Sequence, residues 1–177
     1  MTDFFYALYM LTTRIIMWLP FHSIRKAYLK IVLGALGKET FIARNVDIRR
    51  PRNIYVGNNV VINKLAVLDG RGGKLVIGDN VDIAQEVNIW TLQHDYNDDF
   101  HKTKGGDVTI KDYVWIATRA TILPGITIGR GAVIATMSVV TKDIPEMMVV
   151  GGIPAKPISA RHSKLKYKLK YKPLLFQ

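Results

Sequence analysis

The chain has 177 residues, 49% of them hydrophobic and 22% charged, enough for one domain with its own core. It has no cysteine, which excludes a disulfide framework, a thiolate nucleophile and a zinc–thiolate site. The formal net charge is +11, but six Lys and Arg residues fall between Arg161 and Lys172 with no acid among them, leaving +5 for the rest; so local an excess weakens any case for nucleic acid.

Residues 1–40 begin with the apolar run DFFYALYMLTTRIIMWLP, broken by Arg14 and stopped by Pro20. A membrane-spanning helix needs roughly 20 mostly apolar residues, and this run falls short of that. No basic stretch precedes it and no small-residue cleavage site follows, so it does not read as a signal peptide. The expectation is an amphipathic helical segment, either lying on a membrane surface or covering one end of the core.

Residues 41–160 carry a six-residue beat. From Ile77 the chain reads IGDNVD, IAQEVN, IWTLQH, and from Ile110 it reads IKDYVW, IATRAT, ILPGIT, IGRGAV, IATMSV, VTKDIP. Ile42, Ile48, Val56, Ile62 and Leu68 begin looser units, with corner insertions such as GRGGK before Leu75. Neither the 3.6-residue helical period nor a long two-residue alternation explains this. A period of six means short strands that turn a corner after each unit, three to a coil, with coils about 4.8 Å apart. The expected fold is an all-β solenoid of between four and five coils, with the leading aliphatics stacked inside.

The beat stops once. IWTLQH ends at His94, Ile110 resumes the pattern, and residues 95–109 are extra. His94 is thus expected at the root of an extruded loop. A histidine near its ordinary pKa of about 6.5 suits proton abstraction at neutral pH. Asp95, Asp98, Asp99 or a backbone carbonyl could orient its ring. His101 reads as a loop residue. A metal site built from HDYNDDFH is a weaker alternative, because His22 and His162 lie outside the coil.

The stretch after the insertion is the most specific. Residues 114–158, VWIATRATILPGITIGRGAVIATMSVVTKDIPEMMVVGGIPAKPI, combine a VWI start, an LPG turn, SVVTKDIP and a G-x-PAK-x-I ending. This pattern resembles the hexapeptide-repeat acyltransferases, most of all the maltose/galactoside type and those that acetylate polysaccharide units. The MDGANH-like stretch usual in the antibiotic-acetylating branch is absent. Ala117, Ala135 and Met137 stand where Gly is common in the family, which alters the walls past which a cofactor arm would run.

The resemblance implies a left-handed parallel β-helix, a homotrimer with active sites between subunits, and acetyl-CoA as acyl donor with no metal. It implies His94 as general base, before a loop that in relatives reaches over a neighbouring subunit. Trp115, Thr118, Thr141, Lys142 and Lys156 match the family's cofactor contacts. The basic residue that often follows PAK-x-I is replaced by Ser159, with Arg161 two residues on. Asn63 and Asp69 match acceptor-binding positions, although Asn63 equally fits a corner hydrogen-bonding role. The implied activity is acetyl transfer to a saccharide hydroxyl, in surface polysaccharide biosynthesis. The acceptor would be a saccharide or a lipid-linked glycan. The competing readings are a non-catalytic scaffold or glycan-binding module, and a metal-dependent lyase like the gamma-class carbonic anhydrases. Residues 161–177 form a basic tail in which Lys alternates with apolar residues. With the N-terminal segment it could hold a cytoplasmic enzyme at the inner face of a membrane, or it could pack on the solenoid.

Overall fold

The computed structural model describes residues 2–171. Lys172 and the apolar end of the tail lie outside the described residues.

Parallel strands of two to four residues wind into a three-faced prism. The first face stacks five strands, from Ala35–Leu36 to Thr127–Ile128. The second face begins at Phe41–Ile42 and reaches Met148–Gly151, where Lys156–Ala160 folds back antiparallel. The third face stacks five strands, from Asp47–Arg49 to Val139–Val140. The coil therefore begins at Ala35, within the stretch expected to be helical.

The leading aliphatics pair rung on rung. Ile42, Ile62, Ile83, Ile116, Ile134 and Val150 are successive Cα partners on the second face. Ile48, Leu68, Ile89, Ile122 and Val140 do the same on the third. Val56, Ile77, Ile110 and Ile128 do so on the first. None of these side chains is more than 3% exposed. Each contributes about 1.5–3 kcal/mol of burial, before the entropy of ordering is subtracted.

The edges explain the rest of each unit. Between the first and second faces, Asp79 Oδ1 accepts from the Asn58 N–H at 2.7 Å, and Asp112 Oδ1 accepts from the Asp79 N–H at 2.8 Å. At the edge between the second and third faces, Leu65, Glu86, Arg119 and Met137 sit at positive φ. Three of them donate to the coil below: Glu86 N–H to Lys64 O at 3.2 Å, and Arg119 N–H to Gln85 O and Met137 N–H to Thr118 O at 3.0 Å each. Met137 thus holds a left-handed corner that glycine would adopt without strain.

Helices α1 (Thr2–Trp18) and α2 (His22–Val32) close the N-terminal end of the coil. Met17, Leu29 and Leu33 join the core there. Arg25 is fully buried and donates to Leu19 O and Ile42 O, so it ties the end of α1 to the coil. It is therefore not available to a membrane.

After Ala160 the tail runs back along the edge between the first and second faces. Arg161 Nη1 donates to Tyr113 O and Gly131 O at 2.9 Å each, Leu165 is buried, and Leu169 bonds to Asn80 and Asn59. The Tyr171 ring meets Phe41 edge-on at 4.8 Å. Residues 161–171 are a strap on the solenoid, not a free arm.

Candidate active site

The edge between the third and first faces is the irregular one. Each lower coil has a longer corner here: the turn Pro51–Asn53 in the first, and Gly70 to Lys74 in the second. Asn53 Nδ2 donates to Gly70 O at 2.8 Å, stacking one corner on the next. The third corner is the extruded loop, and it is ordered as a β-hairpin of Leu92–His94 against Thr103–Gly105. The coil is closed beneath it by Gly106 N–H donating to Thr91 O at 3.0 Å. The chain therefore leaves the coil after Thr91, earlier than the six-residue count placed it. His94 is on the first strand of the hairpin and is not the last residue of a coil.

Asp69 holds that root. Its side chain is wholly buried, with Oδ1 on Arg71 Nε at 2.7 Å and Oδ2 accepting from Thr91 N–H at 3.3 Å. Gly72 N–H donates to Thr91 Oγ1 at 3.0 Å. A Cβ at Gly72 would overlap the Thr91 carbonyl oxygen, and a Cβ at Gly105 would overlap Gly72 O. Glycine is required at both places because two backbones touch. Asp69 was expected to touch the acceptor, and its full burial instead gives it to the root of the hairpin; Arg71, Gly72, Thr91 and Gly105 were not singled out as site residues from the sequence. The signal was present in the glycine pairs of GRGG and KGGD, on either side of the hairpin.

His94 is exposed, and its Nδ1 lies 2.9 Å from His101 O. A carbonyl oxygen only accepts, so Nδ1 carries the proton and Nε2 of the neutral ring keeps a free lone pair. The His101 ring stacks on it at 3.8 Å and 6°. Two of the acids left open as orienting groups instead shape the loop. Asp95 Oδ1 accepts from Asn97 N–H, and Asp98 Oδ1 accepts from Phe100 N–H and Lys102 N–H. Tyr96 and Phe100 stand 89% and 81% exposed on the loop.

The other singled-out residues divide between two edges. Thr141 and Lys142 are exposed at the same edge as His94, one coil above the Leu123–Gly125 corner on which Gly106 rests. Trp115 is 45% exposed on the second face. Thr118 lies at the edge between the second and third faces. Lys156 is exposed where the final antiparallel strand begins, next to a turn that Gly152 N–H pins to Ser138 Oγ. Asn63 is at this edge too, with Nδ2 on Ile83 O at 3.1 Å. A whole face of the prism separates these residues from His94, so one chain does not bring them together.

Beside Trp115 is a cavity of about 270 Å³, lined also by Asp82, Arg161, Tyr167 and Leu169. Burial holds the Asp82 carboxyl above its ordinary pKa. Arg161 donates from Nη1 to two carbonyls and from Nη2 to the Tyr167 hydroxyl, and so fixes the strap that forms one wall. Glu86 is held below its ordinary pKa by its hydrogen bonds to Arg119 and Gln85. His22 is on α2 against Phe41, and His162 is exposed on the tail. Among the described residues, no three His, Cys, Asp or Glu side chains group as a metal site.

The model of the bacterial transferase hexapeptide family, six repeats, matches residues 107–142. The galactoside O-acetyltransferase of Escherichia coli K12 is 33% identical over 138 residues, covering 76% of this chain and 67% of that one. The chain belongs to the hexapeptide-repeat acyltransferases. Its solenoid is the left-handed β-helix of that family. A hexapeptide-repeat acetyltransferase from Vibrio cholerae, solved in complex with acetyl-CoA, superimposes with a TM-score of 0.80 at 27% identity, over 86% of this chain and 85% of that one. A maltose O-acetyltransferase from Clostridium difficile superimposes with a TM-score of 0.77 at 31% identity, over 88% and 86%. The chain spans between 42% and 67% of the length of the first three curated relatives it matches.

Proposed function

We propose that the protein is an acetyl-CoA-dependent O-acetyltransferase acting on a saccharide hydroxyl, with His94 as general base. The observation that carries this is the His94–His101 arrangement. A ring whose Nδ1 proton is spent on a carbonyl, on a strand of an ordered hairpin, presents Nε2 as a fixed acceptor. Nε2 takes the hydroxyl proton as the sugar oxygen bonds to the thioester carbonyl carbon. The carbonyl becomes an oxyanion held by a main-chain N–H of the coil. The carbon–sulfur bond then breaks and the CoA thiolate takes the proton from the imidazolium. The balance closes with no covalent enzyme intermediate and no metal.

The division of residues between two edges supports a site made by two copies. Three prisms with their third faces turned to a common axis would bring the Trp115, Thr118 and Lys156 edge of one copy to the His94, Thr141 and Lys142 edge of the next. Tyr96 and Phe100, exposed on the hairpin loop, suit a contact across that junction. Lys142 and Lys156 would meet the phosphates of acetyl-CoA, and the Trp115 ring would line its pantetheine arm. Asp69 acts from within the fold, through the hairpin root, and Asn63 offers a polar side chain near the corner. The acceptor would be a sugar of a surface polysaccharide, carried free or on a membrane lipid at the inner face of the membrane.

The test is CoA release from acetyl-CoA with galactosides, maltose and a lipid-linked sugar as acceptors, and chloramphenicol as control. Turnover with a saccharide and none with chloramphenicol is expected. Lys142→Ala and Lys156→Ala should raise KM for acetyl-CoA more than they lower kcat, because the phosphates bind alike in ground and transition states. Equal losses with a truncated thioester that lacks the nucleotide would return these lysines to a structural role.

A further inference from the structure

Helix α1 has two apolar sides, and the coil takes only one of them. Thr13 and Met17 are buried, with Tyr9 and Met10 half-buried beside them. Phe4, Leu8, Leu11, Ile15 and Trp18 recur at spacings of four, three, four and three, and are 50% to 71% exposed. At about 100° per residue they fall in one stripe on the side of the helix opposite the buried one. Helix α2 repeats the arrangement: Arg25 and Leu29 face inward, while Ile24 and Ile31 are 47% and 69% exposed. Phe21, between the helices, is 50% exposed. An exposed apolar stripe running the length of a helix marks a contact site.

The surroundings of that surface are basic. Residues 4–38 contain no acid, and Arg14 and Lys30 are exposed among them. The strap adds a second basic feature, because it alternates. Leu165 is buried and Leu169 half-buried against the coil, while Lys164, Lys166, Lys168 and Lys170 are all exposed. Leu165 sits at positive φ and turns the chain, and from Lys166 onward the lysines recur at every second residue. Tyr171 of the strap meets Phe41, and Phe41 also meets His22 of α2 at 4.9 Å between ring centroids. The row of cations therefore runs down to the end of the molecule that carries the apolar stripes.

We infer that this end is a docking surface for an anionic lipid bilayer. A second copy of the chain would set an acid-free basic face against itself. A bilayer receives apolar side chains at the acyl boundary and the lysines among its phosphates. No described helix is long and apolar enough to cross a membrane, so α1 lies in the plane of the interface. The biological purpose rests on the reading that the acceptor is carried on a lipid; the docking itself does not.

The experiment is flotation of the full chain with vesicles of phosphatidylcholine, with and without phosphatidylglycerol, at low and high salt. Binding to the anionic vesicles is expected, weakened at least about tenfold by high salt. Leu11→Gln with Ile15→Gln should weaken it about tenfold or more at both salts. Lys166→Gln with Lys168→Gln should remove only the salt-sensitive part. Both pairs should leave the melting temperature and turnover of a soluble acceptor unchanged. No binding to anionic vesicles at low salt, or binding unchanged in both variants, overturns the inference. It is likewise overturned if vesicles are not bound and Leu11→Gln with Ile15→Gln lowers the mass in solution, which would give the face to a second copy. Intact docking in a protein without transferase activity would overturn the proposed reaction and leave the docking standing.

Discussion

Inside the coil every rung repeats the one below, whereas along the hairpin edge each corner differs from its neighbour. The interior is held by aliphatic side chains that need only volume and apolarity, so their positions are interchangeable. The hairpin edge is held by one buried carboxylate, one threonine and two close glycines, each in a place that no other residue fills. The same winding thus gives a frame insensitive to detail and a root sensitive to every atom. His94 is on the second and is kept in place by the first.

Putting a charge inside the frame should have the largest effect. Ile122 is fully buried between Ile89 and Val140, and Ile122→Asp would place an unpaired carboxylate there. The cost exceeds about 4 kcal/mol, so the variant should be insoluble or melt without a transition in calorimetry. A soluble, normally melting variant would mean that the interior is not the uniform ladder described.

His94→Ala is the opposite case. The side chain is exposed and fills no rung, so melting and assembly should be unchanged while kcat falls by about 10²–10⁴-fold. Near wild-type turnover in steady-state assays would remove His94 from the reaction.

Gly72→Ala tests whether the root governs the hairpin. The added methyl must displace Thr91 or Leu92, and with them the strand that carries His94. We expect kcat to drop by about tenfold or more, with stability lowered by only about 1–3 kcal/mol. Loss of stability in denaturant titrations with kcat intact would separate the root from the site.

The smallest expected effect is at the capped end. His22 is held below its ordinary pKa of 6.5, first by burial and then by Arg25 and Lys26. The folded state therefore binds its proton less readily than the unfolded chain. Stability is full above pH 6.5 and is lost as pH falls below it. His22→Phe should flatten that decline in a pH series of melting temperatures. An identical slope in the variant would assign the acid sensitivity elsewhere.

The aliphatic ladders were legible because a period of six recurs in the letters themselves, and burial follows from it directly. The break at His94 was legible for the same reason, since a missing beat is as visible as a present one. The point of departure was not. The chain leaves at Thr91 because Gly106 N–H closes on its carbonyl, and a hydrogen bond across the base of a loop leaves no mark in spacing. The orienting group of His94 was equally hidden. Three acids stood nearby in sequence, yet a backbone carbonyl seven residues on does the work, and every residue has one. Asp69 was singled out as an acceptor contact; its burial beneath the hairpin, with Arg71 and Thr91, depends on two corners stacking.

The sequence by itself determined the solenoid, its register and the presence of one break in it. Those follow from local pattern repeated many times, so each unit reinforces the reading of the next. Only the tertiary structure decided which face of α1 the coil would claim, and that the basic tail lies as a strap along the solenoid. It also decided that the two groups of candidate site residues stand on different edges. These are questions of which surfaces meet after the chain has turned several corners. Each corner rotates everything beyond it, so the answer is a sum over the whole fold and not a property of any short stretch.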